Sequence, residues 1–334
     1  MLNPLAPSAG GRYSIGLKPQ IILAPGGPAG QRPYRPHGAG ASRPPFGTGS
    51  ALCAMYMWRG ISTRCYRTCI MLMTYSFGDP GDLPPILIAH GLYGSARNLN
   101  VIAKRLSATR QVISVDMRNH GDSPWSARHS YPDLAGDLAE VVTGFGGVAD
   151  VMGHSMGGKA AMALALLHPA AVRRLVVADI APVTYNHTQV QFIHAMRALD
   201  LSGIATRRDA DAALKADVPE DGIRAFLLQS LDVKEKRWRL NLDVLEAFMP
   251  QIIGWPDLAG RFDGPALFLS GGASDYVRAD HRPAIRALFP AARFAKIPGA
   301  GHWLHADKPR EFEASLGIFF GANGSSGQGQ TPES

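Results

Sequence analysis

No acidic residue precedes Asp79, and no cysteine follows Cys69. These two gaps divide the chain of 334 residues before any motif is read. Residues 1–78 hold eight of the 34 Lys and Arg, which leaves 26 basic against 27 acidic residues for 79–334, a net charge of −1. The overall +7 therefore comes from the amino-terminal stretch, and a near-neutral body implies no nucleic acid or other polyanion as partner. Lacking cysteine, the body has no internal disulfide. Cys53, Cys65 and Cys69 match no common zinc spacing, and no histidine pair nearby completes one, so no metal is expected. Apolar runs long enough to span a bilayer are also missing, which argues against a transmembrane segment.

What is present divides into two unequal parts. Residues 1–73 are rich in Gly, Pro, Ala and Arg ("GGPAGQRPYRPHGAGASRPPFG") and are expected to form a disordered extension. The shortage of acids also suits a transit peptide, which would place the chain in mitochondria rather than the cytoplasm. The prolines oppose that reading, and a start at Met71 or Met73 is favoured because regular patterning begins only there. Residues 321–334 ("GANGSSGQGQTPES") read as a second flexible tail.

Between them, short apolar runs ("PPILIAH", "QVISVD", "ADVMGH", "RRLVVAD", "PALFLSG", "RFAKIP") alternate with helical patterns at about 97–106, 130–144, 156–168, 276–289 and 309–320. Continuous rather than alternating apolarity suits parallel strands covered on both faces. The alternation predicts an α/β architecture, a doubly wound, mostly parallel sheet built from 74–182 and 257–320. Residues 183–256 carry charged, helix-favouring sequence with no strand signal, and are read as an inserted helical cap.

In such sheets ligands bind beyond the carboxyl ends of the strands. The residues standing there include His90-Gly91-Leu92, Asp116, Ser155, Asp179, Ser274-Asp275 and His302. Ser155 lies in Gly153-x-Ser155-x-Gly157, after a strand and before a helix, the setting of a nucleophile held on a sharp turn. A serine needs a base, and His302 follows the last strand. His305 competes but lies nearer the final helix, where a surface position is expected; Lys159 is four residues from Ser155, one too many for a Ser-x-x-Lys dyad. The acid is either Asp179 or Asp275, between which the residues do not choose. Backbone amides of Leu92 and Met156 are candidates for an oxyanion site.

"HGLYGSARNLNVIAKRL", "VISVDMRNHGDSPWS", "VMGHSMGGKAAMALAL", "VVADIAPVTY" and "PGAGHWLHADKP" occur in this order. With them the chain resembles the α/β-hydrolase superfamily over about residues 74–320. The likeness is to a subgroup of bacterial esterases and thioesterases and mitochondrial abhydrolase domain-containing esterases. The resemblance implies that Asp179 acts in the triad with Ser274 assisting; Asp275, beside that serine, is the departure that keeps it as the alternative acid. It also implies a serine hydrolase acting on small-molecule acyl esters or thioesters through an acyl-enzyme, without a cofactor. Cofactor-free haloperoxidase, carbon–carbon hydrolase or lyase chemistry on the same residues is the alternative, and a non-catalytic binding module a further one. Phe192, Phe226, Leu227 and Phe248 are candidate linings of an acyl channel, or simply the core of the cap. The oligomeric state is not legible.

Overall fold

The computed structural model describes residues 72–321, so the expectations for 1–71 and 322–334 lie outside the described residues. Leu72 and Met73, at the end of the expected extension, belong to the body: Leu72 is buried, and the Met73 amide donates to Ser123 Oγ at 2.8 Å.

The chain opens with β1 (Thr74–Phe77), β2 (Ile86–Ala89), α1 (Asn100–Leu106) and β3 (Val112–Val115), followed by α2 (Tyr131–Gly144), β4 (Ala149–His154), α3 (Met156–Leu167) and β5 (Val172–Ala178). After an insertion come β8 (Ala266–Gly271), α9 (Arg282–Leu288), β9 (Ala292–Ile297), α10 (Leu304–Asp307) and α11 (Pro309–Gly321). One sheet holds seven strands in the order β1-β3-β2-β4-β5-β8-β9; β1 is antiparallel to β3 and every other pairing is parallel. The predicted doubly wound sheet is thus observed, with β1 as an added edge. Its sequence, TYSF, lacks the apolar run that marks the buried strands, because it is only partly covered.

Both faces of the sheet are buried. Along β2, Leu87 and Ala89 join one apolar cluster while Ile86 and Ile88 join another on the opposite face. That is the two-residue period of a strand under two layers of helices. Ser130 caps α2, its Oγ accepting the Asp133 amide, and Pro309 opens α11. Lys159 apart, helix α3 is apolar all round, and it is buried throughout Met156–Leu166.

The insertion holds α4 (Val190–Ala198), α5 (Arg207–Leu214), α6 (Asp221–Leu227), α7 (Leu242–Ala247) and α8 (Met249–Ile253). It also contains a pair of two-residue strands, β6 (Leu231–Asp232) and β7 (Arg237–Trp238). That pair corrects the expectation of an all-helical segment; strands so short leave no periodicity to read. Hydrogen bonds tie the insertion to the loops after β2 and β3. Ser230 Oγ donates to the Tyr93 carbonyl at 2.7 Å, Tyr93 Oη to the Gln189 carbonyl at 2.9 Å, and the Gly121 amide to the Arg239 carbonyl at 2.8 Å.

Strand order reverses at β2, since the chain goes from β2 outward to β3 and then returns to β4 on its other side. The crevice at that switch point is where this architecture places ligands. Here the turn from β4 into α3 is the tightest point of the backbone. A Cβ at Gly153 would lie 2.1 Å from the Gly157 carbonyl oxygen, and one at Gly157 would lie 2.4 Å from those of Ala89 and His90. Gly157→Ala should therefore destabilise the fold by about 3 kcal/mol, a loss of roughly 6–12 °C in Tm. Gly222→Ala, where a Cβ meets nothing within 4 Å, should change stability by no more than about 1 kcal/mol. Equal melting curves for the two variants would show that the turn relaxes freely.

Candidate active site

Ser155 occupies the turn with φ 52° and ψ −120°, a region that a residue with a side chain enters only at a cost of about 1–3 kcal/mol. Its amide donates to the Ala178 carbonyl at 3.0 Å, and its carbonyl accepts the Lys159 amide at 3.0 Å, so strand and helix hold it from both sides. Strain of this kind projects the hydroxyl away from the sheet. Ser155 Oγ lies 3.1 Å from His302 Nε2, and His302 Nδ1 lies 2.8 Å from Asp179 Oδ2. The carboxylate accepts Nδ1–H, which leaves Nε2 free to accept the serine proton.

Asp179 is fully buried and also has a positive φ, 51°. Its Oδ1 accepts the Gly271 amide at 3.0 Å, and Oδ2 accepts the Ser274 hydroxyl as well as His302. Three donors fix the plane of the carboxylate. Asp275 is solvent-exposed and its neighbour Ser274, not Asp275 itself, reaches this network. On geometry, then, the His302 N–H goes to Asp179.

Tyr276 stacks on the His302 ring, centroids 3.8 Å apart and planes 19° from parallel. His154 lies across the ring at 4.9 Å and donates its Nε2–H to the His302 carbonyl at 2.9 Å. Neither contact was anticipated from sequence. His305, expected at the surface, is instead packed against His154 and Phe312, with ring centroids 5.0 and 6.2 Å away. Its helix, α10, turns the ring inward.

Leu92 shares a cavity of about 40 Å³ with Ser155, His302, Asn98, Phe226 and Trp303. Met156 begins α3, so its amide has no partner within the helix. The loop carrying Leu92 is held by two histidines whose tautomers follow from their partners. His90 Nε2 accepts the Met117 amide at 2.9 Å, so Nδ1 carries the proton donated to the Gly91 carbonyl at 2.8 Å. His120 Nε2 accepts the Tyr93 amide at 3.2 Å, and its Nδ1 donates to the Arg118 carbonyl at 2.9 Å. Both rings act as neutral staples of the loop.

Lys159 is buried with Nζ within 2.9 Å of the Val183 and Ile253 carbonyls and 2.6 Å of that of Gly254. Burial lowers its pKa from 10.5 to about 7. With all three donors engaged, it fastens α3 to both ends of the insertion and is placed as a structural tie rather than as a base. Phe192, Phe226 and Leu227 line a larger cavity beside His302, whereas Phe248 packs against the apolar core and lines none of the three cavities around the site. Among the described residues, no group of three or more His, Cys, Asp or Glu is arranged to hold a metal ion. No helix among them is long and apolar enough to cross a membrane.

Five histidines around this site, four of them buried and His305 partly so, have lowered pKa values, burial being the largest cause in each. His90 falls to about 4, His120 to about 3 and His305 to about 4, and His129 and His154 lie well below 6.5. In the unfolded chain each takes its proton near 6.5, so below that pH the unfolded state binds more protons. Their contribution is fully present above pH 6.5 and is lost as pH falls towards 4, at about 1.4 kcal/mol per pH unit for each group inside its window. The histidines should make Tm drop more steeply between pH 6.5 and 5 than between pH 8 and 7, where Lys159 is the buried group taking up a proton. A Tm unchanged at pH 5 would contradict neutral, buried rings.

The model of the alpha/beta hydrolase family matches residues 86–315. The sn-1-specific diacylglycerol lipase ABHD11 of Mus musculus is 45% identical over 260 residues, covering 74% of this chain and 84% of that protein. The esterase YbfF of Escherichia coli is 42% identical over 227 residues, 67% of this chain and 88% of that one. Among solved structures, a marine microorganism esterase superposes with a TM-score of 0.71 at 37% identity, covering 75% of this chain and 99% of its own. With its sheet order, its strand–turn–helix serine and these matches together, the chain belongs to the alpha/beta hydrolase family.

Proposed function

We propose that this protein is a serine hydrolase of carboxylic esters, with acyl thioesters open to the same route, and that residues 183–256 act as a cap over its site. The observation that carries the reading is the unbroken hydrogen-bond series from Ser155 Oγ through His302 to Asp179 at the strand carboxyl ends. Similarity to an sn-1-specific diacylglycerol lipase and to esterases supports an ester substrate.

In this mechanism His302 Nε2 removes the Ser155 proton as Oγ attacks the substrate carbonyl. Asp179, fixed by Gly271 and Ser274, holds the imidazole in the required tautomer and stabilises its cationic form. The developing oxyanion is received by the amides of Leu92 and Met156, the latter reinforced by the positive end of α3. His302 returns its proton to the leaving alcohol, and the acyl group remains on Ser155. Water, deprotonated by His302, then releases the acid.

Ser155→Ala should lower kcat on 4-nitrophenyl butyrate roughly 10³-fold or more while leaving the fold intact. It should also abolish labelling by a fluorophosphonate probe; full labelling of the variant would place the nucleophile elsewhere. Asp179→Asn should cost roughly 10³-fold or more in kcat, and Asp275→Asn less than about threefold. The reverse ranking overturns the choice of acid. A wild-type protein that takes the probe yet turns over no ester favours lyase or carbon–carbon hydrolase chemistry.

Tyr276→Leu removes the stack on His302, an aromatic contact worth about 0.5–1.5 kcal/mol, and should reduce kcat about three- to tenfold with KM little changed. Tyr276→Phe keeps the stack and should recover most of the loss. If the two variants are equally impaired, the hydroxyl rather than the ring face is what matters.

A further inference from the structure

Two cavities of very different size adjoin the one of about 40 Å³ that Ser155 and His302 both line: one shares Ser155 and Leu92 with it, the other His302, Phe226 and Trp303. One, of about 30 Å³, is lined by Ser155, Leu92 and Met156, and is closed by Ile180, Ile252 and Lys159. The other, of about 330 Å³, is lined by His302 but not by Ser155, with Phe192, Ile223, Phe226 and Trp303 forming its walls. Between them stands a polar septum, since Tyr276 and His187 border both cavities and the Tyr276 hydroxyl lies 3.0 Å from His187 Nε2.

The chemistry of acyl transfer gives the two sides different roles. In the tetrahedral intermediate the carbon is bound to Ser155 Oγ and its oxyanion faces the Leu92 and Met156 amides. The leaving oxygen must receive its proton from His302 Nε2, so the alcohol portion lies on the side that His302 borders. The acyl tail stays with Ser155 and points away from the departing alcohol, which leaves it the cavity that Ser155 lines and His302 does not. Resting on the ester-hydrolase reading above, we infer that the small cavity is the acyl subsite and the large one the alcohol subsite. The enzyme is then selective for short, unbranched acyl groups esterified to bulky apolar alcohols.

Size and rigidity both support this division. The small cavity has room for about two waters, hence for a tail of about two or three carbons beyond the carbonyl. Its polar atoms are already engaged: Tyr131 Oη donates to the Ile252 carbonyl at 2.6 Å, and Tyr185 Oη to that of Tyr276 at 2.8 Å. Lys159 spends its three donors on Val183, Ile253 and Gly254. Ile180, Ile252 and Ile253 form the apolar part of its wall, and those bonds hold that wall in place. The large cavity has the volume of a ligand pocket and aromatic walls. Phe192 and Leu227 thereby belong to the alcohol side, not to an acyl channel, and Phe226 stands where that cavity meets the one Ser155 lines.

The test is a two-way substrate panel on the full chain, read as kcat/KM. For 4-nitrophenyl esters, acetate to butanoate should be the best substrates, with a fall of about tenfold or more by octanoate. For acetates of primary alkanols, which have matched leaving-group acidity, kcat/KM should rise about tenfold or more from ethyl to octyl. Ile252→Ala should extend the tolerated acyl length while leaving the alkanol trend unchanged. Ile223→Trp should flatten the alkanol trend without altering acyl preference. A preference for octanoate, a flat acyl profile, or an acyl optimum that moves with Ile223→Trp overturns the assignment. The wild-type panel decides the matter even if a variant fails to fold. If wild-type protein hydrolyses no ester and Ser155 takes no fluorophosphonate, the hydrolase reading itself fails and the subsites fall with it, a result distinct from active hydrolysis with the opposite chain-length order.

Discussion

The backbone at the β4–α3 turn is so crowded that neither Gly153 nor Gly157 has room for a Cβ, and the rest of the site depends on that crowding. It brings the amino end of α3 directly against the end of β2, with the carbonyls of Ala89 and His90 where a side chain at Gly157 would be. As a consequence the first amides of α3, Ser155, and the loop after β2 come together at the point where strand order reverses. The unfavourable φ of Ser155 is sustained by two backbone hydrogen bonds and by burial of α3 on every side. A strain of about 1–3 kcal/mol is small beside the apolar burial of a helix that contributes eleven buried residues in succession.

Histidine is the most frequent ionisable residue type around the site, yet only one ring is set up for proton transfer. His302 has a carboxylate on one nitrogen and a hydroxyl on the other. His90 and His120 instead face backbone amides and carbonyls, which require a neutral ring in one fixed tautomer. Burial drives them the same way, so hydrogen bonding and desolvation agree. Neutral rings stiffen the Leu92 loop without placing positive charge beside the Leu92 and Met156 amides proposed to receive the oxyanion. The second role of histidine here is therefore geometric, and it keeps the loop aligned with α3.

Much of this was legible because the signals are local. Glycines two residues either side of a serine, between an apolar run and an alanine-rich run, mark Ser155, and strand ends mark His302 and Asp179. The sheet could be read because its buried strands are continuous apolar runs, whereas TYSF and the two-residue strands of the insertion are too mixed or too short. Residues alone could not choose between Asp179 and Asp275, since both follow strands, and the choice depends on a bond across 123 positions. Tyr276 on His302, His154 beneath it and His305 turned inward are tertiary contacts between loops, for which no periodicity exists. Lys159 was weighed only as a base because its actual partners, backbone carbonyls near residues 183 and 254, have no sequence signature.

That lysine explains how an insertion and a sheet can share one rigid pocket. Removing an ammonium from water costs several kcal/mol, and three charge-assisted hydrogen bonds at about 1.5–3 kcal/mol each offset it. The Tyr185 ring, 4.8 Å from Nζ, adds a favourable cation–π contact. The net effect on stability is small, but the effect on geometry is not. The carbonyls lie where the chain leaves the sheet for the insertion and where it returns, while the lysine is one turn beyond the serine on α3. Any movement that separated the base of the insertion from α3 would leave the buried amine and three carbonyls without partners. The outer helices are joined to the loops after β2 and β3 by neutral hydrogen bonds and a partly exposed ion pair between Arg239 and Asp122, which cost far less to break. The contacts that cost least to break therefore lie in the outer part of the insertion, and those at its base, beside α3, cost most.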